Sequence, residues 1–195
     1  ALLAGEADAL LVEARRLAAE GWRCLKIKVG RGDPAREAET VAAVPNAVGP
    51  RLALRLDANR SWELTTAIDF ARRVAPAHIE YLEEPLRDPA NHARLAAEGG
   101  VPIALDETLL GRTPRDPGPL RGVTAFVIKP AVLGGYERAM AWARCAAARG
   151  IAPVVSASFP AAVGLAAAAR FAAAAAPEIE HGLGESVFVK ELVPH

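Results

Sequence analysis

The stretch GWRCLKIKVG, residues 21–30, places two lysines inside an otherwise apolar run. Side chains in a β-strand alternate between the two faces of the sheet. Leu25, Ile27 and Val29 are therefore predicted to point one way. Lys26 and Lys28 are predicted to point the other way. One face of this strand is apolar, and the opposite face carries two positive charges.

Lysine is scarce elsewhere in the chain. The sequence contains 19 arginines and four lysines, which are Lys26, Lys28, Lys129 and Lys190. Arginine keeps its proton in proteins, whereas a lysine can lose its proton when burial or a neighbouring cation lowers its pKa. Because three of the four lysines lie in apolar, strand-like runs, we interpret them as candidates for proton transfer.

Composition limits the classes of function. The chain has 195 residues, of which 52% are hydrophobic and 24% charged, and its formal net charge is zero. This composition is typical of one soluble globular domain and provides no basic surface for nucleic acid or anionic membranes. Cys24 and Cys145 form no CxxC pair and are interpreted as reduced thiols of a cytoplasmic protein. The expected partners are small molecules, and the oligomeric state stays open.

Short apolar runs alternate with helical patterns along the chain. The predicted strands are KIKV, LALRLD, IEYLEE, PIALDE, AFVIKP and IAPVVSAS. The predicted helices cover Pro34–Val44, Thr65–Val74, Asn91–Glu98, Tyr136–Arg149 and the alanine-rich residues 161–176. This alternation predicts parallel strands joined by crossover helices. The pair Asp33-Pro34 is a typical helix start.

A charged residue ends each of five successive predicted strands. These residues are Lys28, Asp57, Glu83, Asp106 and Lys129, at successive intervals of 29, 26, 23 and 23 residues. In a TIM-type parallel β/α barrel the carboxyl ends of the strands meet at one rim, where the active site lies. A doubly wound open sheet predicts the same alternation, but no glycine-rich phosphate motif follows any of these strands. We therefore favour an α/β fold of the barrel type, with the five charged groups at its mouth.

Five motifs resemble a known family. In chain order they are LKIKVG, LRLDAN, YLEEP, ALDET and VIKPAVLGG. Their order and spacing are similar to those of the C-terminal barrel domain of the enolase superfamily, in the muconate-cycloisomerase-like branch that uses lysines as acid and base. Within this branch, IKPAVLGG and VVSASFPAAVGL most resemble the o-succinylbenzoate synthases of menaquinone biosynthesis. The resemblance covers nearly the whole chain.

The resemblance implies a metal site made of carboxylates. Its ligands are Asp57, Glu83 and Asp106, an all-oxygen set that suits Mg²⁺, with Mn²⁺ as a substitute. Glu84 and Glu107 directly follow two of these ligands and are expected to point elsewhere, because side chains alternate along a strand. A bound Mg²⁺ stabilises the enediolate that forms when a proton is lost next to a carboxylate.

The resemblance also implies roles for the lysines. Lys28 is the base, and Lys26 and the metal are expected to depress its pKa. In a synthase, Lys28 removes the α-proton of 2-succinyl-6-hydroxy-2,4-cyclohexadiene-1-carboxylate and then returns a proton to the departing hydroxide. Lys129, on the opposite wall, stabilises the enediolate. In an N-acylamino acid racemase the two lysines instead act on opposite faces of one carbon. The lysines alone therefore leave open a racemase, a dipeptide epimerase or a cycloisomerase of the same superfamily.

Other residues bear on the substrate. The stretch SASFPAAVG contains no acidic residue, which disfavours a substrate that carries an ammonium group. Arg55 shares the inward face of Asp57 and is a candidate to pair with a substrate carboxylate. Ser156 and Ser158 are candidates to donate hydrogen bonds to such a carboxylate. The predicted substrate contacts are Lys26, Arg55, Asn59, Ser156 and Ser158.

The chain is shorter than a complete barrel domain, which typically has about 250 residues. Residues 1–195 are therefore expected to form a barrel that is incomplete on its N-terminal side and at its C-terminal end. The α+β capping domain that family members carry before the barrel is expected to be missing, which leaves the activity of this chain alone open. The alternative is a catalytically silent barrel that serves as a scaffold, although clustered carboxylates repel each other without a metal.

Overall fold

The computed structural model describes residues 1–49, 52–157 and 162–184. The chain forms two compact units. The first unit comprises Ala1–Ala104 and Pro119–Val123, and the second comprises Leu105–Gly118 and the residues from Thr124 onward. Strands and helices alternate in both units.

The first unit contains parallel strands joined by helices. Its elements are β1 (Leu2–Leu3), α1 (Ala7–Ala19), β2 (Cys24–Lys28), α2 (Pro34–Val48), β3 (Ala53–Asp57), α3 (Leu64–Val74), β4 (Tyr81–Glu83), α4 (His92–Gly99) and most of β5 (Ile103–Leu105). Each of the strands β1 to β4 pairs in parallel with the next one along the chain. The register places Lys28 beside Asp57, and Asp57 beside Glu83. Three of the predicted site residues therefore lie side by side at the carboxyl ends of their strands.

The second unit repeats the pattern on a smaller scale. Its elements are a short 3₁₀ helix (Glu107–Gly111), most of β6 (Val123–Ile128), α5 (Pro130–Leu133), α6 (Tyr136–Ala147), β7 (Ala152–Val155) and α7 (Ala162–Ala175). Strands β6 and β7 are parallel, with Ala125 beside Ala152 and Ile128 beside Val155. The predicted parallel α/β alternation is confirmed in both units.

The burial of β2 follows the predicted alternation. Leu25, Ile27 and Val29 are buried, whereas Lys26 and Lys28 are half-buried on the other face. In β3, by contrast, Leu54 to Asp57 are all buried, on both faces of the strand. Strands that are covered on both faces are typical of parallel sheets flanked by helices.

The helices begin and end close to the predicted residues. Helix α2 begins as predicted, because the Asp33 side chain accepts a hydrogen bond from the Arg36 N–H over 2.9 Å. It continues to Val48, past the predicted end at Val44, because Pro45 in the last turn removes a single hydrogen bond and leaves the helix intact. The other predicted helices match within two residues at each end.

Helix α1 was missing from the predicted elements. It buries Leu10, Ala14 and Leu17, which follow one another at intervals of four and three residues. This spacing is the signature of an amphipathic helix. Within the described residues, no helix is long and apolar enough to cross a membrane.

Each unit contains a buried tryptophan that packs against a phenylalanine. In the first unit the rings of Trp62 and Phe70 lie 4.4 Å apart. In the second unit Trp142 is fully buried and meets Phe126 edge to face, with ring centroids 5.5 Å apart. The indole Nε1 of Trp142 has no hydrogen-bond partner within the described part of the chain. Both are packing contacts between large aromatic side chains.

Candidate functional site

Strands β2, β3 and β4 bring lysines and carboxylates together in the first unit. The Lys28 Nζ lies 2.6 Å from Asp57 Oδ2. The Lys26 Nζ lies 2.8 Å from the same oxygen and 2.6 Å from Glu83 Oε2. Asn59 Oδ1 accepts a further hydrogen bond from Lys28. We call Lys26, Lys28, Asp57, Asn59 and Glu83 the first cluster.

The two carboxylates of the first cluster are buried. Asp57 is 1% exposed and Glu83 is fully buried. Burial favours the protonated form of Asp57, but the ammonium groups of Lys26 and Lys28 outweigh it and lower the pKa of this carboxyl below its ordinary value. Burial likewise acts to lower the pKa of Lys26, but the carboxylates of Glu83 and Asp57 raise it above its ordinary value. Lys26 is therefore a fixed cation at neutral pH.

The loop after β3 completes the first cluster. Asn59 has a left-handed backbone, with φ 44°, and its N–H donates to Asp57 Oδ1 over 3.3 Å. The next residue, Arg60, donates to Glu84 Oε2 over 3.1 Å. Glu84 therefore contacts the loop, in line with the expectation that it points away from the position of Glu83.

The second unit contains a smaller arrangement. Asp106 follows β5 and is 6% exposed. Lys129 follows β6, directly before Pro130, and its ammonium group donates to Asp106 Oδ2. Glu107 opens the short 3₁₀ helix and is half-buried. We call Asp106 and Lys129 the second pair.

Arg55 is engaged by a residue that the sequence analysis did not consider. Its Nε donates to Glu80 Oε2 over 2.7 Å and its Nη2 to Glu80 Oε1 over 3.1 Å. The guanidinium carbon also lies 5.1 Å from the ring centroid of Tyr81. This pair holds β3 and β4 together, and the substrate contact of Arg55 stays a prediction.

Of the two predicted serines, Ser156 lies within the described residues. Ser156 follows β7, and its N–H donates to the Ile128 carbonyl over 2.9 Å. Gly182 approaches it so closely that a Cβ at position 182 would lie 3.1 Å from Ser156 Oγ. Ser158 lies outside the described residues.

The predicted ligands suit a hard divalent cation by their chemistry. Asp57, Glu83 and Asp106 offer carboxylate oxygens, which Mg²⁺ prefers, and buried carboxylates need a compensating positive charge. Lysine ammonium groups provide that charge here. Across residues 1–49, 52–157 and 162–184, no three His, Cys, Asp or Glu side chains are grouped closely enough to hold a metal ion. The site with three ligands stays a prediction.

The sequence analysis did not predict the contact of Glu37 with the loop after β2 in the first unit. The Glu37 carboxylate accepts hydrogen bonds from the N–H groups of Gly30, Arg31 and Gly32, over 2.7, 2.9 and 3.0 Å. The available signal was the pair of glycines around Arg31, followed by an acidic residue in the first turn of α2.

A second contact escaped it in the second unit. His181 Nδ1 accepts a hydrogen bond from the Val155 N–H over 3.0 Å, and its Nε2 lies 2.9 Å from the Ala176 carbonyl oxygen. Because a backbone N–H can only donate, the imidazole proton must lie on Nε2. His181 therefore links the end of β7 to the end of α7. No spacing in the sequence indicated these two partners of His181.

These elements correspond to a known family. The family described as enolase C-terminal domain-like matches residues 9–191 of the sequence. The chain belongs to this family. The resemblance inferred from the five motifs is therefore confirmed, including its likeness to o-succinylbenzoate synthases.

Three relatives show how similar the chain is to individual members of the family. The o-succinylbenzoate synthase of Pasteurella multocida is 38% identical over 170 residues, which are 84% of this chain and 50% of that protein. The crystal structure of MenC from Desulfotalea psychrophila has a TM-score of 0.81 and 29% identity, and the match covers 95% of this chain and 53% of that one. The L-Ala-D/L-Glu epimerase from Bacillus subtilis has a TM-score of 0.78 and 30% identity, with coverages of 87% and 48%. The chain spans about half the length of these relatives.

Proposed function

We propose that this chain is the TIM-type barrel domain of an Mg²⁺-dependent o-succinylbenzoate synthase, a cytoplasmic lyase of menaquinone biosynthesis. The observation that carries the proton-transfer chemistry is the position of Lys28, whose ammonium group is held by Asp57 and Asn59 beside the fixed cation Lys26. The choice of a synthase among the reactions that such lysines perform rests on the relatives. Membership of the family and the synthases among the relatives support the proposal. The substrate is a small carboxylate, 2-succinyl-6-hydroxy-2,4-cyclohexadiene-1-carboxylate.

The proposed metal ligands are Asp57, Glu83 and Asp106. A bound Mg²⁺ supplies positive charge to the oxygens of the substrate carboxylate when the neighbouring C–H bond breaks. All three proposed ligands are buried, so they are already desolvated when Mg²⁺ binds. Buried oxygen ligands interact more strongly with a cation than exposed ones do.

Lys28 is proposed to act first as a base and then as an acid. Its neutral Nζ takes the α-proton of the substrate, and the electron pair of the C–H bond moves into the carboxylate to form an enediolate. The ammonium of Lys28 then gives a proton to the leaving hydroxyl group as the C–O bond breaks. Water departs and the ring becomes aromatic, so the overall change is the loss of one water molecule. Asp57 and Asn59 orient the Lys28 Nζ for both transfers.

The remaining predicted residues are proposed to bind substrate charge. Lys26 supplies a cation that stays protonated throughout. Lys129 is proposed to stabilise the negative charge of the enediolate. The proposed contacts for the substrate carboxylates are Arg55, Ser156 and Ser158.

A racemase or epimerase of the same superfamily is the second candidate. It is favoured by the likeness to the L-Ala-D/L-Glu epimerase, which is as similar in sequence to this chain as the MenC structure is. In that reaction Lys28 and Lys129 would exchange a proton at one carbon without loss of water. The products distinguish the two candidates, because the synthase forms an aromatic ring with loss of water and the racemase or epimerase only inverts one carbon.

The test is the change in ultraviolet absorbance when the synthase substrate is mixed with Mg²⁺ and the full natural polypeptide that includes these residues. Conversion is expected, and chelation of Mg²⁺ is expected to abolish it. Lys28→Ala should lower kcat on the order of a thousandfold, because positioned proton transfer contributes about 10²–10⁴ in rate. Arg36→Ala, which removes an exposed cation from α2, is the matched control and should convert at the normal rate.

Two results would count against the proposal. Full activity of Lys28→Ala would remove Lys28 from the chemistry. If the unmodified protein does not convert this substrate, the next assay follows the entry of deuterium at the α-carbon of N-acylamino acids by NMR. Exchange there would establish the racemase, and its absence would favour a silent scaffold.

A further inference from the structure

The loop that follows Lys28 is clasped by one carboxylate. Residues Gly30, Arg31 and Gly32 direct three consecutive N–H groups at Glu37, which lies in the first turn of α2. Oε2 accepts one of these hydrogen bonds and Oε1 accepts the other two. Consecutive backbone N–H groups that converge on an anion form a strong, geometrically specific contact. The loop is therefore fixed by Glu37, at a distance of two residues from Lys28.

Helix capping does not account for this contact. The N-cap of α2 is Asp33, whose side chain accepts the Arg36 N–H. The Glu37 oxygens turn back to the loop before the helix. The contact therefore serves the loop rather than the helix end.

The loop of residues 30–32 lies directly against the loop after β3, in which Asn59 accepts a hydrogen bond from Lys28. Gly30 has φ +77°, and a Cβ at this position would lie 2.6 Å from both Cβ and Oγ of Ser61. Ser61 in turn donates through its Oγ to the Ala58 carbonyl over 2.5 Å. Ala58 precedes Asn59, which accepts the hydrogen bond from the Lys28 ammonium. A continuous set of contacts thus runs from Glu37 through Gly30 and Ser61 to the acceptor of Lys28.

We propose that Glu37 is a positioning residue for Lys28. Its carboxylate holds the loop 30–32 against the loop after β3, and this fixes the Lys28 Nζ relative to Asp57 and Asn59. The catalytic part of this inference rests on the proposed function. The positioning part concerns the geometry of Lys28 and can be observed without turnover.

The first measurement is the NMR signal of the lysine side chains in protein labelled with ¹³C at the lysine ε-carbon. Lys28 is assigned by its loss in Lys28→Ala. Glu37→Gln keeps the shape of the side chain but turns one acceptor oxygen into an NH₂ group, which cannot accept a backbone N–H. We expect the Lys28 signal to shift or broaden, and the amide hydrogens of residues 30–32 to exchange faster. Glu39→Gln, an exposed carboxylate on the same helix, should change neither.

The second measurement is steady-state kinetics in the full natural polypeptide. Glu37→Gln is expected to lower kcat by roughly tenfold to a hundredfold with KM nearly unchanged, since small misplacements of a reacting group cost about this much. The deuterium isotope effect on kcat, with substrate deuterated at the α-carbon, should increase because proton transfer becomes more rate-limiting. Gly30→Ala disturbs the same loop from its other side with Glu37 intact. Its effect should combine with that of Glu37→Gln less than additively.

The outcomes separate this proposal from the proposed function. An unchanged Lys28 signal in Glu37→Gln would overturn the positioning role, whatever the kinetics. A shifted Lys28 signal with unchanged kcat would overturn the catalytic part of the inference. If the unmodified protein does not turn over the synthase substrate but the Lys28 signal moves in Glu37→Gln, the positioning role is supported and the assigned reaction fails.

Discussion

The two units compensate their buried carboxylates in different ways. In the first cluster Lys26 contacts both Asp57 and Glu83, and Asp57 is also contacted by Lys28. In the second pair Lys129 contacts Asp106. Because Lys26 contacts two carboxylates that are almost completely buried, we expect its loss to cost more than the loss of Lys129, whose partner Asp106 keeps more exposure.

The largest effect is expected for Lys26→Met. This change leaves Asp57 and Glu83 buried next to each other without their shared cation, and should lower the free energy of unfolding by about 3–5 kcal/mol at neutral pH without Mg²⁺. Urea denaturation measures it. Lys26→Arg keeps the charge and should lower the free energy of unfolding by less. Equal decreases for Lys26→Met and Lys26→Arg would show that packing rather than charge matters.

The same substitution has a predictable pH dependence. Because the pKa of Asp57 is depressed in the folded state, its contribution to stability is present above the ordinary carboxyl pKa and is lost as the pH falls through the depressed value. The difference between unmodified protein and Lys26→Met should therefore shrink in acid. A difference that stays constant down to acid denaturation would contradict the assigned ion pairs.

A smaller effect is expected for Lys129→Met. Asp106 loses its contact with the Lys129 ammonium group and retains some exposure, so the free energy of unfolding should fall by about 2–3 kcal/mol. Urea denaturation under the same conditions allows a direct comparison. A loss of unfolding free energy equal to or larger than that of Lys26→Met would contradict the greater importance of the cation that Asp57 and Glu83 share.

The smallest of these effects is expected for His181→Ala. It deletes the hydrogen bonds with Val155 and Ala176 and leaves the Val155 N–H without its acceptor, which should cost about 1–2 kcal/mol. The second unit should respond first, as seen by faster amide hydrogen exchange at Val155. His78→Asn, at an exposed residue, is the control and should leave that exchange unchanged. Protection of Val155 in both variants would show that the imidazole is dispensable.

Local patterns predicted much of this structure. The alternation in LKIKVG placed Lys26 and Lys28 on one face, and the spacing of charged strand ends placed Asp57 beside Glu83. Both features depend on the regular geometry of strands, which a sequence displays directly. Motif order was enough to identify the family.

Contacts between distant residues were beyond these patterns. Arg55 and Glu80 are 25 residues apart, and their pairing follows from the register of β3 and β4 and from side-chain rotamers. The bridging of two carboxylates by Lys26 depends on how far a flexible side chain extends along the strand. The clasp of Glu37 depends on a loop conformation with a positive φ at Gly30, which no periodicity encodes.

The buried indole of Trp142 gives the second unit its own fluorescence signal. An indole that is fully buried against Phe126, with no hydrogen-bond partner for its N–H within the described residues, is shielded from the polar relaxation that shifts fluorescence to the red. Trp22 is 39% exposed and should emit at longer wavelength. Replacing Trp22 and Trp62 by phenylalanine would leave Trp142 as the one tryptophan of this chain. The red shift of its emission would then report the unfolding of the second unit separately from that of the first.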